Sequence, residues 1–572
     1  MERRVLIAVL LSFLVLYGYQ AMFPPPPEPG APASQASKAA TAPNAAAPAP
    51  ANPAPSVQGV TAELPPQQPA REVVVDNGDV RAVFTTRGAV IKSWQLKKYK
   101  DNAGRPYEVV AGHAPADAPL PLTLGVDDPA LAAVLAAASY AVTSESTDAA
   151  GWRAQFDYAD EASGVRVEKT FSIAAAKPYV VNVTAKVTRN NQPVATTLRW
   201  GPALGSGIAP AASYATYSPP VQPIFFKDGA VTRIAPDDIP AQAVHEGTFG
   251  FAGVDDHYFL VATVKPTQPI RVDYAPLAVQ LPTVPAGAKY VSWAARFPSG
   301  PEGTAFFAGP KDFDVLAAVD RDLVRAIDFG MFAWLVVPLL RALKWINGYI
   351  GNYGWSLVLL TVLINLVMFP LRHKSVVSMR KMQDVQPEVK AIQDRYSKLK
   401  MSDPGRAKMN QEMMALYKER GVNPASGCVP MLLTLPVLFA FYSMLSVAIE
   451  LRGAPFVAQI HDLSAHDPWF IWPILMGATM FIQQKMTPST ADPMQQRIML
   501  IMPIMMTGMF LWAASGLVIY WTVSNTWGIA QQMITNKLIG PAVVRTVRPP
   551  AERQMKNTKN VGAGKTDQAK ER

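Results

Sequence analysis

Three stretches carry side chains that could do chemistry. Asp255, Asp256 and His257 stand side by side, two carboxylates and an imidazole, the set used for acid–base work or for holding a metal. They adjoin the strand-like Tyr258 to Val264, and no second ligand cluster accompanies them, so they read as a loop with ordinary charges. Gly562-Ala563-Gly564-Lys565-Thr566 imitates a phosphate loop, but the full motif needs glycine where Lys559 stands and a strand ahead of it; nucleotide binding is not expected. Met499, Met502, Met505, Met506 and Met509 recur at helical spacing. Thioethers could take copper(I), yet methionine repacks easily, and Met502, Met505, Met506 and Met509 read better as a compliant surface for varied apolar segments. The single cysteine, Cys428, excludes an intrachain disulfide framework and a Cys-based zinc site. No catalytic residue, metal or cofactor is expected. What remains is polar side chains set inside apolar helices.

Foremost is Asn365, near the middle of WSLVLLTVLINLVMFPLR, Trp355 to Arg372, an apolar span that ends at Pro370 with basic residues following at once. Hydrocarbon offers an amide no partner, so Asn365 either bonds to a neighbouring helix or faces a wet cavity. Further apolar spans run over about 428–449, 469–483, 498–513 and 515–531. Their interior polar groups are Thr361, Asn365, Thr434, Thr479, Thr507, Ser515, Thr522, Ser524 and Asn525, with no titratable residue among them. Proton coupling is therefore not expected.

The rest of the chain positions these spans. With 572 residues, 49% apolar, and a formal charge of +10, one soluble core is excluded and several environments are expected. Residues 1–23 place Arg3 and Arg4 before an apolar run and read as an uncleaved anchor; 24–70 are a Pro/Ala-rich disordered tether. From 71 to 310 the pattern alternates, as in Val181, Val183, Ala185 and Val187, with turn signals such as Asp76-Asn77-Gly78, which predicts a large β-sandwich. In 311–353, Met331 to Ile350 contains Pro338, Arg341 and Lys344 beside Trp334 and Trp345 and suits an amphipathic interfacial helix. Basic residues crowd 372–420, where apolar residues at threes and fours predict a helix bent at Pro387 and a second helix begun by Asp403-Pro404, together a cytoplasmic hairpin. A core of 354–535 then gives way to a basic tail, 536–572. Basic inside segments put both termini in the cytoplasm across six spans. The fold class expected is a multi-span α-helical membrane protein, a five-helix core with its hairpin and one anchor, plus the large β domain.

The stretches FPLRHKSVVSMRKMQDVQPE, ERGVNPASGCVPMLLTLPVLFAFYSML, QQRIMLIMPIMMTGMFLWAASGLVIYWTVSN and FFAGPKDFDVL are similar to the YidC/Oxa/Alb family of membrane protein insertases, in its form from double-membraned bacteria. The resemblance covers essentially the whole chain. It implies a periplasmic β-supersandwich and a five-helix bundle whose hydrophilic groove, open to cytoplasm and lipid, receives nascent membrane proteins. It also implies the inner membrane as location, the Sec translocase and membrane lipids as partners, and the ribosome and signal recognition pathway meeting the hairpin and basic tail. Groove residues implied are Thr361, Asn365, Thr434, Tyr520, Trp521, Thr522 and Ser524, with Arg372 at the mouth. One departure stands out. The family carries Arg or Lys five residues before the Pro-Leu that ends the second span, and here that position is Asn365. The expectation is a groove without its fixed charge and a weaker pull on acidic tails, with Arg372, beyond Pro370, only a partial substitute. The alternative, a polar-substrate transporter, calls for an internal repeat, and the halves show none.

Overall fold

The structure, a computed structural model, describes residues 70–101, 104–111, 118–204, 220–281, 284–396, 405–421, 429–486 and 493–539. The expected anchor, nearly all of the tether, Cys428, the Asp403-Pro404 helix start, the side chain of Thr434, the phosphate-loop imitation and all but the first few residues of the tail lie outside them.

Alternation becomes sheet where it was strongest. In the strand Val180–Arg189, Val181, Val183, Ala185 and Val187 are buried while Asn182, Thr184 and Lys186 face outward, as the two-residue repeat requires. The Asn77 carboxamide oxygen accepts from the Asp79 and Val80 amides at 2.9 and 2.7 Å, closing the turn between the first two strands. Among the described residues the strands form three sheets of four, ten and five strands, every pairing antiparallel. Helix α1 (Pro129–Ala137), capped by Asp128, sits beside them. Trp94, Phe84, Phe156, Phe171, Trp200 and Phe306 fill the interior. Lys169 lies fully buried among them, its Nζ donating to the carbonyls of Ala89 (2.7 Å) and Leu122 (2.6 Å). Both acceptors belong to non-glycine residues held at positive φ, 47° and 68°. Burial pushes the Lys169 amine down to about 7, and a neutral amine has two N–H donors, which suits two carbonyls.

After the last strand come α2 (Phe313–Val319), α3 (Ala333–Ile350), α4 (Tyr353–Arg395), α5 (Gly405–Glu419), α6 (Val429–Val447), α7 (Ile471–Met486), α8 (Pro493–Phe510) and α9 (Ser515–Ile539). α3 buries Val336, Leu339, Leu340, Leu343 and Ile346 on one stripe and leaves Trp334, Trp345 and Tyr349 exposed, the two-faced pattern read from its sequence. α9 packs against α4, α6 and α7, and α7 against α8. The α7–α8 approach is close because residue 477 is glycine: a Cβ there would stand 2.0 Å from Thr507 Oγ1. The far end of α4 meets α5 through Val385, Val389, Ile392 and Leu416. Among the described residues α4 is the one helix both long and apolar enough to cross a membrane, with shorter apolar helices at Pro436–Val447 and Ile498–Phe510.

Two expectations are corrected. The helix bearing Asn365 does not stop at Pro370; it continues without a break to Arg395, through Pro387 as well. Proline removes one backbone donor and crowds the preceding turn, but the flanking turns are held by packing on α9, where Gln531 Nε2 donates to the Phe369 carbonyl at 3.3 Å. Nor is Asp255 to His257 an ordinary charged loop. Asp255 is wholly buried, and its Oδ2 accepts from Lys311 Nζ (3.1 Å) and Arg233 Nε (3.2 Å). Asp256 Oδ1 caps the turn through the Tyr258 and Phe259 amides, and His257 Nε2 lies 2.6 Å from the Ser446 carbonyl on α6. Burial raises the Asp256 carboxyl above its ordinary range and lowers the His257 imidazole. The triplet is the seam between β domain and helices. Arg452, just past α6, adds to it by laying its guanidinium over the rings of Tyr107, Tyr258 and Phe259 at 5.0 to 5.6 Å.

Candidate hydrophilic groove

Continuity of α4 decides the geometry around Asn365. Residues seven apart lie two turns apart on one face, and a helical side chain leans toward the N-terminus. Arg372 therefore reaches back along the helix, and its Nη1 donates to Asn365 Oδ1 at 2.7 Å. The Asn365 amide nitrogen donates to the Thr361 carbonyl (2.8 Å) and to Ser524 Oγ on α9 (3.2 Å). Asn365 is thus helix-to-helix glue and the holder of a cation at once. The charge that Asn365 itself lacks enters the groove from Arg372.

These groups border a cavity of about 520 Å³ between α4, α6, α7 and α9. Asn365, Arg372, Tyr520, Trp521 and Ser524 line it together. Thr361 and Thr522 do not: both are buried and bond back to their own helices, Thr361 Oγ1 to Leu357 O (2.7 Å) and Thr522 Oγ1 to Val518 O (2.8 Å). None of the three polar residues Thr361, Asn365 and Thr522 points outward. Tyr520 stacks on Phe441 of α6 with ring centroids 4.4 Å apart, and Trp521 meets Phe510 edge-on at 5.0 Å. The polar lining extends to Ser375, Gln483, Asn525, Gln531 and Gln532, which sequence reasoning left out of the site. The signal was there in the paired glutamines at 483–484 and 531–532, in helix ends that read as mere flanks. Gly528 lets the Gln483 amide come close, since a Cβ would lie 2.5 Å from its Nε2. Met502, Met505 and Met509 stand exposed on α8 away from this cavity.

A β-sandwich carried on a bundle of apolar helices, with a polar cavity in the bundle beside the Arg372 guanidinium, is the architecture of a membrane protein with a soluble domain. Residues 345–541 match the model for the 60Kd inner membrane protein family, and 72–342 match that for the YidC periplasmic domain. The membrane protein insertase YidC of Geobacter metallireducens is 36% identical over 555 residues, covering 95% of this chain and 99% of that one. The corresponding protein of Geotalea daltonii is 34% identical over 560 residues, covering 94% and 99%. A solved structure described as an active YidC insertase with its first transmembrane domain resolved covers 80% of this chain and 91% of that one, at 17% identity and a TM-score of 0.34. The chain belongs to the YidC family: it is an inner-membrane protein that inserts membrane proteins, with a β-sandwich periplasmic domain. The transporter alternative has no support among these relatives.

Proposed function

We propose that client segments enter through the cavity lined by Asn365, Arg372, Trp521 and Ser524, and that Arg372 is its working cation. The observation that carries this is the 2.7 Å bond from Arg372 to Asn365, which aims a guanidinium into a notch walled by four helices. The accompanying topology is six spans with both ends in the cytoplasm, the α4–α5 hairpin projecting there beside a basic tail. Ribosome and signal recognition pathway would meet those cytoplasmic parts, the Sec translocase would be a further partner, and the exposed methionines of α8 would face apolar clients or lipid.

Transfer costs give the mechanism. About 20 apolar residues at roughly −0.3 to −0.6 kcal/mol each move into lipid downhill, whereas one charge at mid-bilayer costs about +2.5 to +3.5 kcal/mol. A polar tail is the obstacle. In the notch it keeps hydrogen-bond partners such as Gln483, Asn525 and Gln531 while the apolar segment slides out sideways, so no covalent step is needed. A photocrosslinker placed in turn at Trp521, Ser524 and Thr361, with ribosome-bound clients, tests the path. Crosslinks from Trp521 and Ser524 but few from buried Thr361 are expected; equal yields from all three would refute the assignment.

A further inference from the structure

The carboxamides on the α9 side of the notch are all turned one way. Gln531 Nε2 donates to the Phe369 carbonyl at 3.3 Å, Asn525 Nδ2 to the Met476 carbonyl at 3.4 Å, and Gln532 Nε2 to Asn536 Oδ1 at 3.0 Å. Chemistry fixes each orientation. A backbone carbonyl takes only a donor, which sets Gln531 and Asn525. Asn536 Oδ1 also receives Arg380 Nη2 at 2.7 Å, and a guanidinium takes only an acceptor, which sets Asn536 and through it Gln532.

Each nitrogen is thus held by the protein, and each oxygen is left over. Gln531 is 4% exposed, lines the cavity, and its Oε1 has no hydrogen-bond partner among the described residues. Asn525 and Gln532 line the same cavity, with their nitrogens likewise engaged. Across from them, on the α4 side, stands the Arg372 guanidinium, which only donates. The notch therefore offers acceptors on one side and donors on the other, and a peptide group carries one of each. A client lysine would also suit the oxygens, but it would meet Arg372 in the same cavity. A helical segment spends its N–H groups on itself, whereas an unfolded tail has them free.

We infer that Asn525, Gln531 and Gln532 take the peptide N–H groups of the client's unfolded tail, so that the notch holds a tail by its backbone whatever its side chains. This rests on the client path proposed above and adds to it what the α9 wall recognises.

The test replaces single tail amides by esters, with an α-hydroxy acid loaded at one codon during cell-free translation, which removes one N–H and keeps the side chains. Translocation of an uncharged tail is followed in proteoliposomes holding the full-length chain. At one or more tail positions the ester should slow translocation by about twofold to tenfold, the worth of one net hydrogen bond. The sign is informative, because a tail crossing lipid unaided has one donor fewer to strip of water as an ester and should cross faster. Gln531→Met and Asn525→Leu should together remove the slowing. Both also lose bonds within the protein, so the quantity compared is the ester-to-amide ratio in each variant, which a packing defect alone leaves unchanged. An ester no slower than the amide at every position in the unaltered protein, or an unchanged ratio in the double variant, overturns the inference. Crosslinks from Trp521 and Ser524 separate the two levels: with crosslinks present and no ester effect, only the N–H contact falls, and without crosslinks the client path falls and takes this inference with it.

Discussion

Replacing Arg372 by glutamine removes the one guanidinium that Asn365 holds in the notch while keeping length and polarity. A client carboxylate about 6 Å from that charge gains roughly 0.7 kcal/mol at a water-like dielectric and nearly 3 kcal/mol at an effective value of about 20. Insertion of an acidic-tailed client should therefore slow by between about threefold and a hundredfold, with the low end approached as salt rises. Asn365→Ala leaves the charge and loses only its tether, so its effect should be the smaller. The swap Asn365→Arg with Arg372→Asn returns a cation to the cavity two turns away and should recover most of the rate. The assay is tail translocation into proteoliposomes for paired clients whose tails differ only in Asp against Asn. Equal slowing of both clients by Arg372→Gln would show a packing role, and no slowing of either would refute the charge argument.

Three further outcomes follow from the geometry. Lys169 has its amine lowered to about 7 in the folded β domain against about 10.5 when unfolded. Between those values the unfolded chain binds more protons, so stability should rise with pH across the window by up to about 1.4 kcal/mol per unit; Lys169→Met should flatten that slope in thermal unfolding of the detergent-solubilised chain. Gly477→Ala should lower the melting temperature, because its Cβ would sit 2.0 Å from Thr507 Oγ1, at an overpacking cost of about 1–3 kcal/mol, and adding Thr507→Ala should restore part of the loss. Arg452→Gln, which takes the cation off three rings, should weaken the seam by about 1–2 kcal/mol and speed release of the β domain in limited proteolysis; an unchanged release rate would show that the stacking contributes nothing there.

Local patterns were readable where one solvent acts on one element. Val181 to Val187 alternate because one face of that strand is wet and the other dry, and Asn77 signals its own turn. The stripe of α3 is equally explicit. Relations across the chain were not readable. Lys311 and Arg233 reach Asp255 from 56 and 22 positions away, so a triplet that looks solvated in sequence is buried in space. Pro370 is a breaker by its own chemistry, and only packing on α9 carries the helix past it. That single misreading hid the Arg372–Asn365 bond, since the two residues share a face only on an unbroken helix. The groove residues came from polarity and from the family resemblance, and neither can tell Ser524, facing the cavity, from Thr361 and Thr522, folded back onto their own carbonyls.

The 43 residues of α4 make a rod about 65 Å long at 1.5 Å per residue. Its middle, from Ile364 to Met379, walls the notch, and its C-terminal end carries the apolar seam that grips α5. Asn365 and Arg395 sit about 45 Å apart on a single shaft, so the span from polar notch to hairpin seam is bridged by one helix and not by a jointed pair.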